Sequence, residues 1–196
     1  MFANRFTALI DACALAGALK RNLLLSLAEA EFFRIRWSSR ILDETQRAIE
    51  SILTARGQPD AAKQAALQRR RMEAAFEEAV VIGSEAFLGD CEGLPDPGDA
   101  HVVAAALQTR ASVIVTDNMK HFPDAVLGRL SLYARTTDAF VADTITLDPG
   151  RAVDAIGRMR ARLRKPEKTA SQLLLDMEAV GLTETVDVLR PFERVL

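Results

Sequence analysis

Two short apolar runs, each closed by an acid, constrain this chain more than any other feature. Phe6-Thr7-Ala8-Leu9-Ile10 is followed by Asp11, and Val113-Ile114-Val115-Thr116 by Asp117. Runs of this length, rich in β-branched residues and bounded by polar ones, read as strands buried on both faces. An acid placed directly after such a strand lies outside its carboxyl end. Open parallel α/β sheets bind ligands in that position.

The segments between the two runs alternate in period. Residues 17–32 place Leu19, Leu23, Leu24, Leu27 and Ala28 on one helical face. Phe33-Arg34-Ile35-Arg36-Trp37 alternates apolar and charged residues, which suits a short strand. Ser38 or Ser39 is placed to cap a helix carrying Ile41, Leu42, Thr45, Ala48, Ile49 and Ile52. Gly57-Gln58-Pro59-Asp60 is a break. A polar helix is expected over 61–79, a strand over Val80-Val81-Ile82, a loop over 90–97 and a helix over 99–110. Ser131-Leu132-Tyr133 suits an edge strand. The order of strand, helix, strand, helices, strand, helix, strand predicts a parallel sheet covered by helices on both faces. After Leu147-Asp148-Pro149-Gly150 no strand pattern remains. Residues 151–165, 169–180 and 183–195 read as helices, so the division expected is 1–146 for the α/β part and 147–196 for a helical appendage.

Composition removes several kinds of chemistry. The chain has two histidines, His101 and His121, and two cysteines, Cys13 and Cys91, with no C-x-x-C spacing. A zinc hydrolase or a Ser-His-Asp enzyme would draw on just those two imidazoles. The cysteines read as reduced, buried thiols. Net charge is −2, so bulk charge does not drive nucleic-acid binding, and any RNA contact needs a local basic patch or metal ions. No window approaches the roughly 18 uninterrupted apolar residues of a membrane span. The few residues before the first strand do not suit a signal peptide, and a cytoplasmic location is expected.

Each acid of interest has a plain alternative. Asp11 suits a helix cap or turn as well as a ligand position. Glu44 falls at the edge of the stripe containing Ile41, Ala48 and Ile52. It reads either as a functional carboxylate or as a rim carboxylate, hydrated or paired with Arg40 or Arg47, with Arg47 the nearer expectation. In Asp96-Pro97-Gly98-Asp99, Asp96 reads as an N-cap and Pro97 as a first helical residue. Asp99 favours the helix dipole, but it also leads the face of Val102, Val103 and Ala106, toward the sheet. Asp117-Asn118 suits a turn. If the two apolar strands are neighbours, Asp11, Glu44, Asp99 and Asp117 converge. Carboxylates so grouped repel unless a cation neutralises them. Oxygen ligands suit Mg²⁺ or Mn²⁺, which can support hydrolysis of a phosphodiester.

Four segments in order resemble the acidic motifs of PIN domains: 8–13 (ALIDAC), 37–44 (WSSRILDE), 94–106 (LPDPGDAHVVAAA) and 113–123 (VIVTDNMKHFP). The resemblance covers roughly residues 5 to 145. It implies a three-layer α/β/α sandwich with a central parallel sheet, an acidic pocket holding Mg²⁺ or Mn²⁺, and cleavage of RNA. Asp11, Glu44 and Asp99 match the first three acids. After the last central strand the usual Thr-x-Asp is here Thr116-Asp117-Asn118, so Asn118 stands at the acid's position and Asp117 one residue early. The helical tail resembles extensions on VapC-like toxin ribonucleases. For such a toxin the expected partners are RNA, a cognate antitoxin protein and a second copy in a homodimer.

Two rival readings are open at this stage. The Asn118 departure suits a PIN-like module that binds RNA or protein with little catalysis. A phosphatase using Asp11 as nucleophile would place a second Asp two residues on, where this chain has Cys13. The basic residues Arg158, Arg160, Arg162, Arg164 and Lys165 suit a solvated surface or, alternatively, a phosphate-tracking one.

Overall fold

A computed structural model describes residues 6–163 and 166–196. Met1 to Arg5, Arg164 and Lys165 lie outside the described residues, and with them the expectations placed there. Contacts within the chain divide it into two compact units. The first comprises the chain up to Gly17 together with Arg34–Arg135; the second comprises Ala18–Phe33 and Thr136–Leu196.

The first unit is built on a five-stranded parallel sheet. Its strands are β1 (Thr7–Ile10), β2 (Arg34–Ser38), β3 (Val80–Val81), β4 (Val113–Val115) and β5 (Tyr133–Arg135). Their order is β3-β2-β1-β4-β5, all parallel. The central strands β1 and β4 are wholly apolar over their buried stretch. Ala8, Leu9, Ile10, Val113, Ile114 and Val115 have no exposed surface, as strands covered on both faces require. β5 begins two residues later than the sequence suggests, because Ser131 takes a left-handed conformation at φ 56° that a strand residue does not adopt.

Chain order reverses about β1, where β2 lies on one side and β4 on the other. Right-handed crossovers then send the connecting helices to opposite faces of the sheet. The helices of this unit are α1 (Ala12–Ala16), α3 (Ser39–Ala55), α4 (Ala61–Ala75), α5 (Ala100–Gln108) and α6 (Asp124–Leu127), and α2 is Ala18–Glu29 of the second unit. α3 begins where Ser38 Oγ accepts the Ile41 N–H at 3.2 Å, as the sequence suggests. Its stripe of Ile41, Leu42, Thr45 and Ile49 is buried. α4 stops at Ala75, and Glu77–Ala79 form a 3₁₀ turn that aims the chain into β3. α5 packs across β1, β2 and β4 and is almost entirely apolar along its length. The reversal about β1 leaves a crevice at the carboxyl ends of β1 and β4, which is the switch point of a parallel α/β sheet.

The second unit is helical. α2 packs against α7 (Thr137–Leu147) and α8 (Pro149–Arg162), and α10 (Thr183–Leu189) packs against α7 and α9 (Ala170–Ala179). α7 is a helix that the sequence reading leaves unassigned. Its Thr-rich, β-branched sequence is a poor helix former. Thr136 Oγ1 caps it by accepting the Ala139 N–H at 3.2 Å, and burial of Phe140, Val141 and Ile145 holds it. Phe33 meets Phe140 edge to face at 4.9 Å, and Arg151 stacks over Phe32 at 4.2 Å. The buried Asp138 carboxylate accepts the N–H groups of Glu184 at 2.9 Å and Thr185 at 2.8 Å, so a side chain of α7 caps the start of α10.

Two of the basic residues of α8 are committed within this unit. Arg160 donates to the carbonyls of Leu196 at 3.0 Å and Lys168 at 2.7 Å. Arg162 makes a two-pronged contact with Glu29 at 2.9 and 3.2 Å. Among the described residues no helix is long and apolar enough to cross a membrane.

Candidate active site

Asp11 is fixed by its place in the sheet. Its N–H donates to Val115 O at 2.9 Å, which extends the β1–β4 ladder by one residue. That register sets Thr116 beside Asp11, and Thr116 Oγ1 donates to Asp11 Oδ2 at 2.7 Å. The other carboxylate oxygen accepts the Ala12 N–H at 2.6 Å, so Asp11 is also the N-cap of α1. Only 7% of the residue is exposed. The carboxylate that caps α1 therefore also stands at the carboxyl end of β1, held by Thr116.

Cys13 reinforces this corner. Its Sγ donates to Asp11 Oδ2 at 3.1 Å, lies 3.2 Å from Thr116 Oγ1 and accepts the Asp117 N–H at 3.2 Å. Loss of solvent around the sulfur and, second, the Asp11 charge push the thiol up to about 12. Cys13 is exposed as a residue, not buried as the sequence suggests, while Cys91 is buried. With the sulfur turned onto a carboxylate, Cys13 is a neutral donor rather than a nucleophile.

Glu44 lies one turn into α3. Arg40 Nε reaches its Oε1 at 3.4 Å, and the Arg40 Nη2 also donates to Gly98 O at 3.2 Å. Arg47, the partner favoured by the sequence, instead donates to the backbone carbonyl of Asp43 at 3.3 Å. Arg40 wins because Gly98 gives its guanidinium a second acceptor on the same side. His101 Nε2 lies 3.2 Å from Glu44 Oε1. Burial holds the His101 imidazole below its ordinary pKa. Glu44 opposes that most strongly, Arg40 adds to it, and Asp11 and Asp99 oppose it more weakly. One buried imidazole thus feels the charges of Asp11, Glu44 and Asp99 together.

Asp99 ends the 3₁₀ turn Pro97–Asp99 that leads into α5. Asp96 caps this turn by accepting the Gly98 N–H at 2.7 Å. A Cβ on Gly98 would stand 2.9 Å from Asp96 Oδ1, so a larger residue there would push the capping carboxylate aside. Asp99 Oδ2 lies 2.6 Å from His121 Nδ1, and Asp96 Oδ2 lies 4.0 Å from the same nitrogen. Asn118 Nδ2 also approaches it, at 2.7 Å. One ring nitrogen cannot serve both neighbours in one tautomer. Protonated, Nδ1 donates to Asp99; unprotonated, it accepts from Asn118.

The sequence-derived residues thus fall into a connected group at the carboxyl ends of β1 and β4. Glu44 contacts His101, and the charges of Asp11 and Asp99 reach the same imidazole more weakly. Asn118 stands on His121 beside Asp99, while the Asp117 residue is exposed and its backbone N–H points at Cys13. The sequence pattern assigns no role to either histidine and gives Asp96 only a capping one. A weak signal was present: His101 follows Asp99 by two residues, and His121 follows Asn118 by three, on the same segments as the acids. Asp96, Asp99 and His121 each offer one ligand atom, all within 4.8 Å of one another. Two oxygens and an imidazole nitrogen suit a divalent cation.

Comparison with known proteins agrees with this architecture. The sequence model of the PIN domain matches residues 7–120, more than half of the chain. A second, described as the VapC50 C-terminal domain, matches residues 137–191. A protein of Mycobacterium tuberculosis (strain ATCC 25618 / H37Rv), described as "Putative ribonuclease VapC50", is 49% identical over 49 residues. That match covers 25% of this chain and 29% of the mycobacterial protein's length. No solved structure matches the chain.

Proposed function

The chain belongs to the PIN-domain family, and from that premise we propose that it is a divalent-metal-dependent endoribonuclease, the toxin of a type II toxin–antitoxin pair. The observation that supports this reading is Asp11, held by Thr116 at the carboxyl ends of β1 and β4, with Glu44 3.2 Å from the buried His101 and Asp99 two residues before that histidine. Carboxylates encoded far apart gather at a parallel-sheet switch point, where ligands bind.

In this reading Asp11 and Asp99 hold the cation, Glu44 binds it through water or positions the attacking water, and Asp117 or Asn118 completes the pocket. A bound Mg²⁺ or Mn²⁺ supplies positive charge to the phosphodiester and makes water a stronger nucleophile. The chain's own groups fix the geometry. Thr116 and the Ala12 N–H hold both oxygens of Asp11, so the carboxylate loses little freedom when it acts. His101 and Arg40 hold Glu44. Arg40 bridges Glu44 and Gly98 O with its side chain 59% exposed, which leaves its remaining N–H groups open to a phosphate oxygen. RNA is the substrate, an antitoxin protein blocks the pocket, and the active form is a homodimer in the cytoplasm. The nuclease activity resides within residues 1–146, with 147–196 as a helical extension.

Cleavage of single-stranded RNA with Mn²⁺ or Mg²⁺, with and without a chelator, tests the proposal. Wild type should cleave only with the cation, and Asp11→Asn should lower the rate at least about a hundredfold, since it removes a ligand charge. Equal slow cleavage by both proteins would sink it. One observation favours a second reading. The uncharged Asn118 stands beside Asp99 while Asp117 is exposed. A binding module with little catalysis would then retain RNA affinity in wild type and Asp11→Asn alike.

A further inference from the structure

His101 is a polar residue in an apolar place. Its helix, α5, buries Val102, Val103, Ala104, Ala105 and Ala106, and His101 is buried with them at 7% exposure. An imidazole in such surroundings is costly unless its nitrogens find partners. Nδ1 finds none among the described residues. Nε2 lies 3.2 Å from Glu44 Oε1, at the long end of an N–H···O hydrogen bond. Whatever polar contribution His101 makes therefore passes through Nε2 to Glu44.

We propose that His101 is a positioning residue for RNA cleavage: its Nε2–H anchors Oε1 of Glu44 from inside the fold and leaves Oε2 as the working oxygen. The inference rests on the nuclease reading above and deepens it, because it gives the two oxygens of one carboxylate separate tasks. The tautomer follows from the surroundings. With the hydrogen on Nδ1, a buried donor would go unsatisfied, and the Nε2 lone pair would face a carboxylate oxygen. With the hydrogen on Nε2, that nitrogen donates to Glu44, and a single lone pair at Nδ1 is left over. The second arrangement loses less.

Arg40 Nε reaches the same Oε1 at 3.4 Å. The two donors are unequal. The Arg40 side chain is 59% exposed and that of His101 8%. Water screens the first contact strongly and the second far less. His101 is therefore the fixed anchor, and Arg40 the adjustable one. Among the described residues no hydrogen bond or ion pair reaches Oε2, which stays available to water.

The test uses the full chain, RNA and Mn²⁺, with kcat and KM read separately for three substitutions. Glutamine places its amide nitrogen about where Nε2 lies, asparagine about where Nδ1 lies, and leucine fills the space without a donor. His101→Leu should lower kcat about tenfold or more and leave KM within about threefold. Its thermal unfolding midpoint should stay at or above that of wild type, because an apolar side chain replaces an unpaired buried nitrogen. His101→Gln should recover most of the lost kcat, and His101→Asn little of it. A kcat for His101→Leu within about threefold of wild type overturns the proposal, as does His101→Gln no faster than His101→Asn. Should His101→Leu fail to fold, the contrast between glutamine and asparagine decides. A second readout needs no RNA. The chain has two histidines, so nuclear magnetic resonance resolves few imidazole nitrogens. His101 should carry its hydrogen on Nε2, and Glu44→Gln should move that nitrogen's signal. A hydrogen on Nδ1, or no response to Glu44→Gln, overturns the proposal. A wild type that shows the Nε2–H anchor yet cleaves no RNA keeps the anchor and sinks the nuclease reading. Cleavage abolished by Asp11→Asn but indifferent to His101→Leu does the reverse.

Discussion

Thr116 is fully buried, and its hydroxyl donates to the Asp11 carboxylate while accepting the Asn118 N–H at 3.1 Å. Thr116→Val keeps the shape and removes both contacts. We expect a loss of about 1 to 3 kcal/mol in stability, because a buried acceptor and a buried donor lose their partner. RNA cleavage should fall about tenfold or more, since Asp11 gains freedom; urea unfolding and single-turnover cleavage check the two parts. Arg40 gives a different expectation. Arg40→Ala should raise KM for RNA several-fold and lower kcat by a smaller factor, His101 still holding Glu44, and Arg40→Lys should recover only part of the loss, because lysine cannot bridge two acceptors with a planar fork. A fall in kcat alone would place Arg40 in the chemical step instead. Both residues were present in the sequence as ordinary neighbours of the acids. Their roles depend on the β1–β4 register and on the approach of Gly98, which no local pattern states.

At the scale of elements, the cap on α10 comes from another helix. Asp138 sits near the start of α7, and its carboxylate satisfies two N–H groups at the start of α10. Asp138→Ala should cost about 1 to 3 kcal/mol by urea unfolding, because those donors are left buried without an acceptor. A change below about 0.5 kcal/mol would mean that water replaces the cap. The Glu29–Arg162 pair joins α2 to α8 at the surface. Hydrogen bonding from Arg162 holds the Glu29 carboxyl below its ordinary 4.5, so the pair stabilises the folded chain fully above that value and the contribution fades as pH falls through the lowered pKa. Both side chains are more than half exposed, so the effect should stay under about 1 kcal/mol. Glu29→Gln should fall slightly below wild type in chemical stability at pH 7, and the gap should narrow as pH falls below 4.5. Helix periodicity identified α2, α3 and α8 well, because one buried face repeats along each. α7 was illegible for the opposite reason: its stability comes from a cap and from neighbours, not from its own propensity.

The whole molecule is interleaved. α2 lies between β1 and β2 in the chain, yet it packs with α7 and α8 in the second unit. Its Leu23, Leu24 and Leu27 have no exposed surface, and each contributes about 1.5 to 3 kcal/mol by burial. A chain ended after Arg135 keeps every sequence-derived acid but strips α2 of those partners. We expect that truncation to be insoluble or to exchange the amides of residues 18–29 rapidly, where the full chain protects them. A soluble truncation with protected α2 amides would show that the helix is stable without α7 and α8.

What the sequence determined by itself was the kind of sheet and the edge at which its acids stand. Buried strands need continuous apolar runs, parallel strands need helical crossovers, and both leave marks in local order. Asp11 and Asp99 stood out because one directly follows a strand and the other leads into a helix, and Glu44 because it edges the apolar stripe of α3. Tertiary structure alone decided which groups accompany them. His101 meets Glu44, His121 meets Asp99, and Asn118 rather than Asp117 stands beside them, through strand register and a turn after β4. Side chains separated by tens of residues find one another only through packing. Local spacing carries no record of distance across a sheet, so the pocket's nitrogen donors became visible only when the chain was folded.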